Sequence, residues 1–236
     1  MLLTVKDIHV SIGLSHILQG VSLSVAAGEV VGLFGRNGVG KTTIVKTIAG
    51  WHKPTSGKIT FDNRDIERVE PEQICRFGIG MVPEDRRIFP GLSVLQNLEL
   101  GLMQVSAKER AIAKSNLDSV LKRFPRLKER EAQLGTTLSG GEQQMLSMAR
   151  VLVGLPKLMV IDEPTEGLAP MIVDDIFRLI KELRDKGIAI LLIEQNVRRA
   201  FSVCDRFYAL ERGQIVLEAS TSSPDALDCL MKAVSV

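Results

Sequence analysis

Aromatic side chains are scarce in this chain of 236 residues, with one Trp, one Tyr and eight Phe. Trp51 and Tyr208 alone build no platform on which single-stranded bases stack. A charge excess is lacking too. Against 28 Asp and Glu stand 30 Lys and Arg, so the net charge of +2 makes no electrostatic case for nucleic acid. Cysteine is confined to Cys75, Cys204 and Cys229, an odd number at wide spacing with no metal or disulfide pattern. They read as buried thiols of a reducing cytosol. No apolar run approaches the ~20 residues that span a bilayer. The N-terminus lacks the basic region and long apolar core of a signal peptide. The expectation is a protein that reaches any membrane through a partner. What remains, 45% hydrophobic and 25% charged, is ordinary globular composition, long enough for one large or two small domains. No repeats or low-complexity tracts interrupt it.

One stretch organises the rest. Gly35-Arg36-Asn37-Gly38-Val39-Gly40-Lys41-Thr42-Thr43 fits G-x-x-x-x-G-K-[ST]. Its glycines let the backbone curl so that successive N–H groups face phosphate oxygens. Lys41 offers a mobile cation to the β- and γ-phosphates, and the Thr42 hydroxyl suits Mg²⁺. A short apolar run, Glu29 to Phe34, reads as the preceding buried strand. Lys41 to Ala49 reads as the following helix, stopped by Gly50. The phosphates would lie at a helix N-terminus, where the dipole favours anions.

Along the chain, Leu3 to Val10, Val21 to Val25 and Gly57 to Asp62 read as strands, with turns at Ala27-Gly28 and Asp62-Asn63. Pro71 opens a short helix to Arg76, and Ile79 to Val82 is a strand ended by Pro83. Strand patterns vanish over residues 92–154. There Leu117, Val120, Leu121 and Phe124 mark one face of a helix from Ala107 to Phe124, which Pro125 ends. This stretch reads as a helical insertion into an α/β core made of residues 1–91 and 155–236, within a single domain. Leu158 to Ile161 and Ile188 to Ile193 are continuous apolar runs, the mark of strands covered on both faces. Between them Val173, Ile176, Phe177, Ile180 and Leu183 form a helical stripe, with Asp174 and Asp175 in its first turn and Gly187 at its end. Arg206 to Leu210 and Gln214 to Glu218 flank a hairpin turn. A final helix starts at Ser223-Pro224 with Leu227, Leu230 and Met231 inward. The expectation is that no regulatory domain follows this helix.

Two further constellations complete the set. The strand ending at Ile161 leads into Asp162-Glu163-Pro164. After a phosphate loop, such a pair suits Mg²⁺ binding by Asp162 through water and polarisation of the attacking water by Glu163. Leu138-Ser139-Gly140-Gly141-Glu142-Gln143-Gln144 precedes a helix from Gln143 to Leu152. By itself it is a helix cap or a second anion site.

With the other two motifs, that segment resembles the signature of ATP-binding-cassette (ABC) ATPases, and the resemblance covers essentially the whole chain. It implies a phosphate-loop (P-loop) NTPase fold of α/β class, with an N-terminal antiparallel β-subdomain and an inserted α-helical subdomain. It implies hydrolysis of ATP with Mg²⁺, and two such subunits packed head to tail as a homo- or heterodimer. Each ATP would be held by the phosphate loop of one chain and by Ser139, Gly140 and Gly141 of the other. Gly167 to Pro170 would cross between the two sites. The implied partners are two transmembrane permease subunits, coupled near the segment after Val82, and indirectly a solute-binding protein. The implied location is peripheral, on the cytoplasmic face of the plasma membrane.

Three departures narrow the resemblance. Glu84 stands where the family usually has Gln, a contact to Mg²⁺ and nucleotide. Gln195 stands for the usual His of the γ-phosphate switch, and Ile12 for the aromatic that stacks on adenine. Gln195 hydrogen-bonds phosphate or water but cannot become cationic. Together Met81 to Pro90, Glu163 to Pro170 and Ile193-Glu-Gln-Asn196 resemble the second ATP-binding subunits of bacterial branched-chain amino acid importers. The expected function is therefore ATP hydrolysis that energises import of branched-chain or similar nonpolar amino acids. Gly35 to Val39 and Thr165-Glu-Gly167 also resemble the corresponding subunit of urea and short-chain amide importers, the alternative solute class. A non-transport ABC protein acting on nucleic acid or ribosomes is the rival of another kind. The near-neutral charge and the absence of tandem cassettes or basic tails speak against it.

Overall fold

The computed structural model describes residues 1–106 and 108–235. Ala107, where the sequence opens a helix, lies outside the described residues. The chain begins with β1 (Leu3–Ile12), β2 (Ser15–Val25) and β3 (Val30–Phe34), followed by α1 (Lys41–Ile48). Next come β4 (Ser56–Phe61), β5 (Arg64–Asp65), α2 (Pro71–Arg76) and β6 (Ile79–Val82). The helix-rich stretch follows with α3 (Val94–Glu99), α4 (Arg110–Arg123), α5 (Pro125–Glu129) and α6 (Gly140–Val153). Strand and helix then alternate through β7 (Leu158–Asp162), α7 (Pro170–Asp185), β8 (Ala189–Ile193) and α8 (Val197–Phe201). A hairpin of β9 (Arg206–Glu211) and β10 (Gln214–Ser220) leads to α9 (Ala226–Ser235).

The strands form two sheets. One is antiparallel with order β2-β1-β4-β5, and the other has order β10-β9-β3-β8-β7-β6. In the second, β3 pairs parallel with both β8 and β9, and β7 with β6 and β8, while β10 closes the edge antiparallel. Strand alternation divides the interior. Val30 and Phe34 of β3, Met159 and Ile161 of β7, and Ile190 and Leu192 of β8 join a core with α4, α6 and α7. Their neighbours Val31, Leu33, Leu158, Val160, Leu191 and Ile193 face the antiparallel sheet and α1. Strands apolar at every position are thus required, because both faces are covered. The carboxyl ends of β3, β7 and β8 then open on one edge, where an open α/β sheet binds ligands.

Local expectations are met with several corrections. Asp62 and Asn63 turn with φ of 48° and 61°, and Arg212-Gly213 with 46° and 77°, as two-residue hairpins demand. In α7 the stripe from Val173 to Leu183 is buried as expected. The helix starts at Pro170, however, so Asp174 and Asp175 sit in its second turn and pair with Arg199 and Arg178. Pro125 opens α5 as its first residue, as well as ending α4. The last helix begins at Ala226, later than Ser223-Pro224, and buries Ala226 and Leu230. Leu227 and Met231 are half-buried. Only Cys204 of the three cysteines is buried; Cys75 is half-buried and Cys229 exposed.

Candidate functional site

The loop 35–40 leaves the buried carboxyl end of β3. Gly35 packs so closely under the Leu210 carbonyl that a Cβ would collide with it. Gly40 caps α1 at φ 112°, a left-handed conformation that side chains resist. Lys41, the first residue of α1, is buried. Its Nζ donates to the carbonyls of Gly35 at 2.8 Å and Arg36 at 3.0 Å, and stands 3.8 Å from Glu163 Oε1. The Val39 carbonyl accepts from Gly213 N at 3.0 Å, which ties the loop to the β9–β10 hairpin. A buried cation and the N-terminus of α1 meet at this glycine loop, the setting of a phosphate site.

The second wall is the end of β7. Asp162 is 2% exposed, and its Oδ1 has no hydrogen-bond partner. Burial, then the charges of Glu163 and Glu84, push its carboxyl up to about 6; Lys41 and a hydrogen bond with Thr42 pull the other way. An orphaned carboxylate oxygen beside a threonine hydroxyl is the donor set a hard divalent cation takes, so these residues fit Mg²⁺. Glu163 turns the chain at φ 46°, a conformation costly for a side-chain-bearing residue and frequent at functional sites. Its N–H donates to the Ile193 carbonyl at 2.9 Å, and its carboxylate accepts a hydrogen bond from Gln195 Nε2.

Glu84 follows β6, and its carboxylate lies with those of Glu163 and Glu166, ligand atoms all within 4.8 Å of one another. Partial burial, followed by the Glu163 and Glu166 charges, holds its pKa above the ordinary value.

Asn37, Gly38, Gly40, Lys41, Thr42, Thr43, Glu84, Glu163 and Gln195 line one cleft of about 360 Å³, whereas Gly35, Arg36, Val39 and Asp162 are not among its lining residues. Ile17 and Glu166 line it too, and sequence reasoning had singled out neither for the site. Ile12 does not line it; it stands at the end of β1, 46% exposed. The side chain offered to the cleft from the antiparallel sheet is Ile17.

Ser139, Gly140 and Gly141 also lie outside this cleft, at the start of α6. Within one chain Ser139 caps its own helix. Its Oγ accepts from Glu142 N at 3.4 Å and donates to Glu142 Oε2 at 2.8 Å, while its N–H donates to the same carboxylate at 3.0 Å. Burial raises the Glu142 carboxyl, but the Ser139 hydrogen bonds and Arg130 outweigh it and leave the group below its ordinary pKa. Gly141 is needed for packing, since a Cβ there would press on Ile172 of α7 at 2.9 Å.

Two buried charged residues around the site were also missed. Arg150 donates to the carbonyls of Arg87 at 2.8 Å and Arg86 at 3.2 Å, so α6 grips the segment after Glu84. Arg86 and Arg87 both take positive φ, 58° and 43°. Glu194, buried at the end of β8, accepts hydrogen bonds from Thr165 and from the backbone N–H of Gln195. Its signal in the sequence was a lone carboxylate closing an all-apolar run.

Comparison with known proteins agrees with this geometry. Residues 18–166 match the ABC transporter family model. The chain is 42% identical over 200 residues to the high-affinity branched-chain amino acid transport ATP-binding protein BraG of Pseudomonas aeruginosa, covering 85% of this chain and 84% of that one. It is 35% identical over 218 residues to the lipopolysaccharide export system ATP-binding protein LptB of Escherichia coli K12, covering 91% and 88%. The crystal structure of the ADP conformation of MJ1267, an ATP-binding cassette of an ABC transporter, superposes with a TM-score of 0.86 at 29% identity, covering 98% and 94%. The motifs, the two-sheet architecture and these likenesses coincide, and the chain belongs to the ABC transporter family as an ATP-binding, ATP-hydrolysing subunit.

Proposed function

We propose that this chain energises an importer of branched-chain or similar nonpolar amino acids from the cytoplasmic face of the membrane. The observation that carries the solute class is the similarity to BraG across 85% of the chain. The relative LptB belongs to a different transport system, so the solute rests on that similarity and not on the chemistry of the nucleotide site. No helix among the described residues is long and apolar enough to cross a membrane, which fits a subunit docked on membrane permeases.

In this reading the loop 35–43 binds the triphosphate, and Lys41 neutralises the β- and γ-phosphates. Thr42 and Asp162 would hold Mg²⁺, directly or through water, with Glu84 as a further contact. Bound Mg²⁺ supplies charge neutralisation across the phosphates. Glu163 polarises the attacking water, and Gln195 orients Glu163 by the hydrogen bond it donates. Gln195 carries no charge, so among the chain's own groups the developing charge of phosphoryl transfer rests on Lys41 and the helix dipoles.

The signature does not reach its own chain's cleft, which supports its action on a second chain's nucleotide in a head-to-tail dimer. Ser139 would then exchange its bond to Glu142 for one to the γ-phosphate.

The helical stretch 92–154 is proposed as the arm that moves with the permeases. An apolar groove of about 550 Å³ between it and the α/β core is lined by Trp51, Ile74, Met81, Phe89 and Met103. The segment from Glu84 to Phe89 touches the cleft at one end and this groove at the other. That continuity supports coupling of permeases to hydrolysis through it. Purification from detergent-solubilised membranes tests the reading. Co-purifying permease subunits, with ATPase activity raised by leucine-loaded binding protein, support it. Stimulation by urea or short amides alone would move the solute class, and bound rRNA or DNA would replace the reading.

A further inference from the structure

Glu194 directly follows β8 and is 3% exposed. Its carboxylate touches two turns at once. Oε1 accepts from Thr165 N at 3.1 Å and Thr165 Oγ1 at 2.7 Å. Oε2 accepts from Gln195 N at 3.1 Å and Asn196 N at 3.4 Å. Each of these donors is a neutral N–H or O–H. Burying a carboxylate against neutral donors alone carries a desolvation cost that an apolar residue would avoid. Packing of β8 therefore does not account for it, but the geometry it imposes does. Thr165 lies two residues beyond Glu163, and Gln195 donates to Glu163 directly. The reacting carboxylate and the side chain that orients it sit on separate turns, and Glu194 is what both turns share.

We propose that Glu194 is a positioning residue for hydrolysis: its two oxygens hold the Thr165 turn and the Gln195 turn at one spacing, so that Gln195 meets Glu163 in the orientation that polarises water. The proposal rests on the reading of Glu163 as the water-polarising group. It has a consequence for coupling. Thr165 begins the stretch that leads into Gly167 to Pro170, so a shift of that stretch on dimer closure is transmitted through Glu194 to Gln195 and thence to Glu163. One carboxylate then links the arrival of the second chain to the geometry of water activation.

The test uses the purified full chain, with steady-state ATP hydrolysis and Mg·ATP affinity measured well below the melting temperature. Glu194→Gln keeps the shape but turns an amide N–H₂ towards one set of N–H donors. Misplacement of that kind should lower kcat about 10–100-fold, with nucleotide Kd unchanged within about twofold. Thr165→Val, which deletes the 2.7 Å bond, should lower kcat in the same sense, and Thr165→Ser should restore it. Because Glu194 acts through Gln195, adding Glu194→Gln to Gln195→Ala should cost less than about threefold more. A merely structural carboxylate would lower the melting temperature, and its effect would multiply with that of Gln195→Ala. Unchanged kcat in Glu194→Gln, equal losses in kcat and affinity, or full multiplication in the double variant would each overturn the proposal. If Glu194→Gln does not fold, the Thr165→Val and Thr165→Ser pair decides: equal activities overturn it. Hydrolysis by the wild type that survives in Glu163→Gln would overturn the reading of Glu163 and this proposal with it. Loss in Glu163→Gln but not in Glu194→Gln overturns this proposal alone.

Discussion

Asp162→Asn should make the free subunit more stable while disabling it. Asp162 is buried against Glu163 and Glu84, and its carboxyl titrates at about 6 against an ordinary 3.8. A folded-state pKa above the unfolded value means that the group's contribution is fully present below about pH 4 and lost as pH rises through 6. Above that, the folded protein carries the ionised carboxylate at a penalty. At about 1.4 kcal/mol per pH unit, the gap amounts to about 3 kcal/mol. Asparagine carries no charge at any pH. At pH 8 the nucleotide-free variant should therefore gain up to about 3 kcal/mol, less whatever its amide fails to satisfy, or about 6–12 °C in Tm for a domain of this size. The difference should close as pH falls from 7 to 4. With Mg·ATP present the order should reverse. Wild type gains about 4.1 kcal/mol at a ligand concentration of about 1,000 Kd, and the variant, without a carboxylate for the cation, gains little. Thermal denaturation of both proteins from pH 4 to 8, with and without Mg·ATP, is the assay. A variant no more stable than wild type at pH 8, or a gain that does not vary with pH, would refute the placement of Asp162 as a buried, unneutralised charge.

Glu163→Gln should keep Mg·ATP binding and lose about 10²–10⁴-fold in turnover; near-normal steady-state hydrolysis would remove its assigned role. Mixing Lys41→Ala chains with Ser139→Arg chains should restore activity that neither has alone, because one of the two shared sites then carries no defect. No recovery despite demonstrated heterodimers would count against sites shared in that way, or show that both sites must be intact. ATP and GTP should compete within about 100-fold, some 2.7 kcal/mol, since the cleft grips the triphosphate and Ile17 offers the base only apolar contact. A larger preference for ATP would reveal a side chain that reads the base edge.

Much of this was legible because the signals were local. A glycine loop between an apolar strand and a helix declares itself in consecutive residues, as does a carboxylate pair closing an apolar strand. The runs at Leu158 to Ile161 and Ile188 to Ile193 announced a sheet covered on both faces. Contacts between distant segments were not legible. Ile17 reaches the cleft because β2 folds back along β1, a register that Gly13-Leu14 alone does not reveal. The contact of Glu194 with Thr165, which comes from the turn after β7, has no local sign in the sequence. Nothing local marks Arg150 on its helix, yet its guanidinium donates to the carbonyls of Arg86 and Arg87, 64 and 63 positions away. The expectation for Asp174 and Asp175 failed for a simpler reason: Pro170 at the first helical position starts α7 earlier than the acidic pair suggested.

Reconstitution tests most directly the proposal that hydrolysis at this cleft drives uptake of nonpolar amino acids. The chain, its co-purified permeases and binding protein would be placed in liposomes with Mg·ATP on the side of the ATPase, and uptake of labelled leucine followed. The expected result is ATP-dependent leucine accumulation that disappears with Glu163→Gln while Mg·ATP still binds. Accumulation that persists in that variant, or ATP hydrolysis by the wild type that leucine-loaded binding protein leaves unchanged, would contradict it.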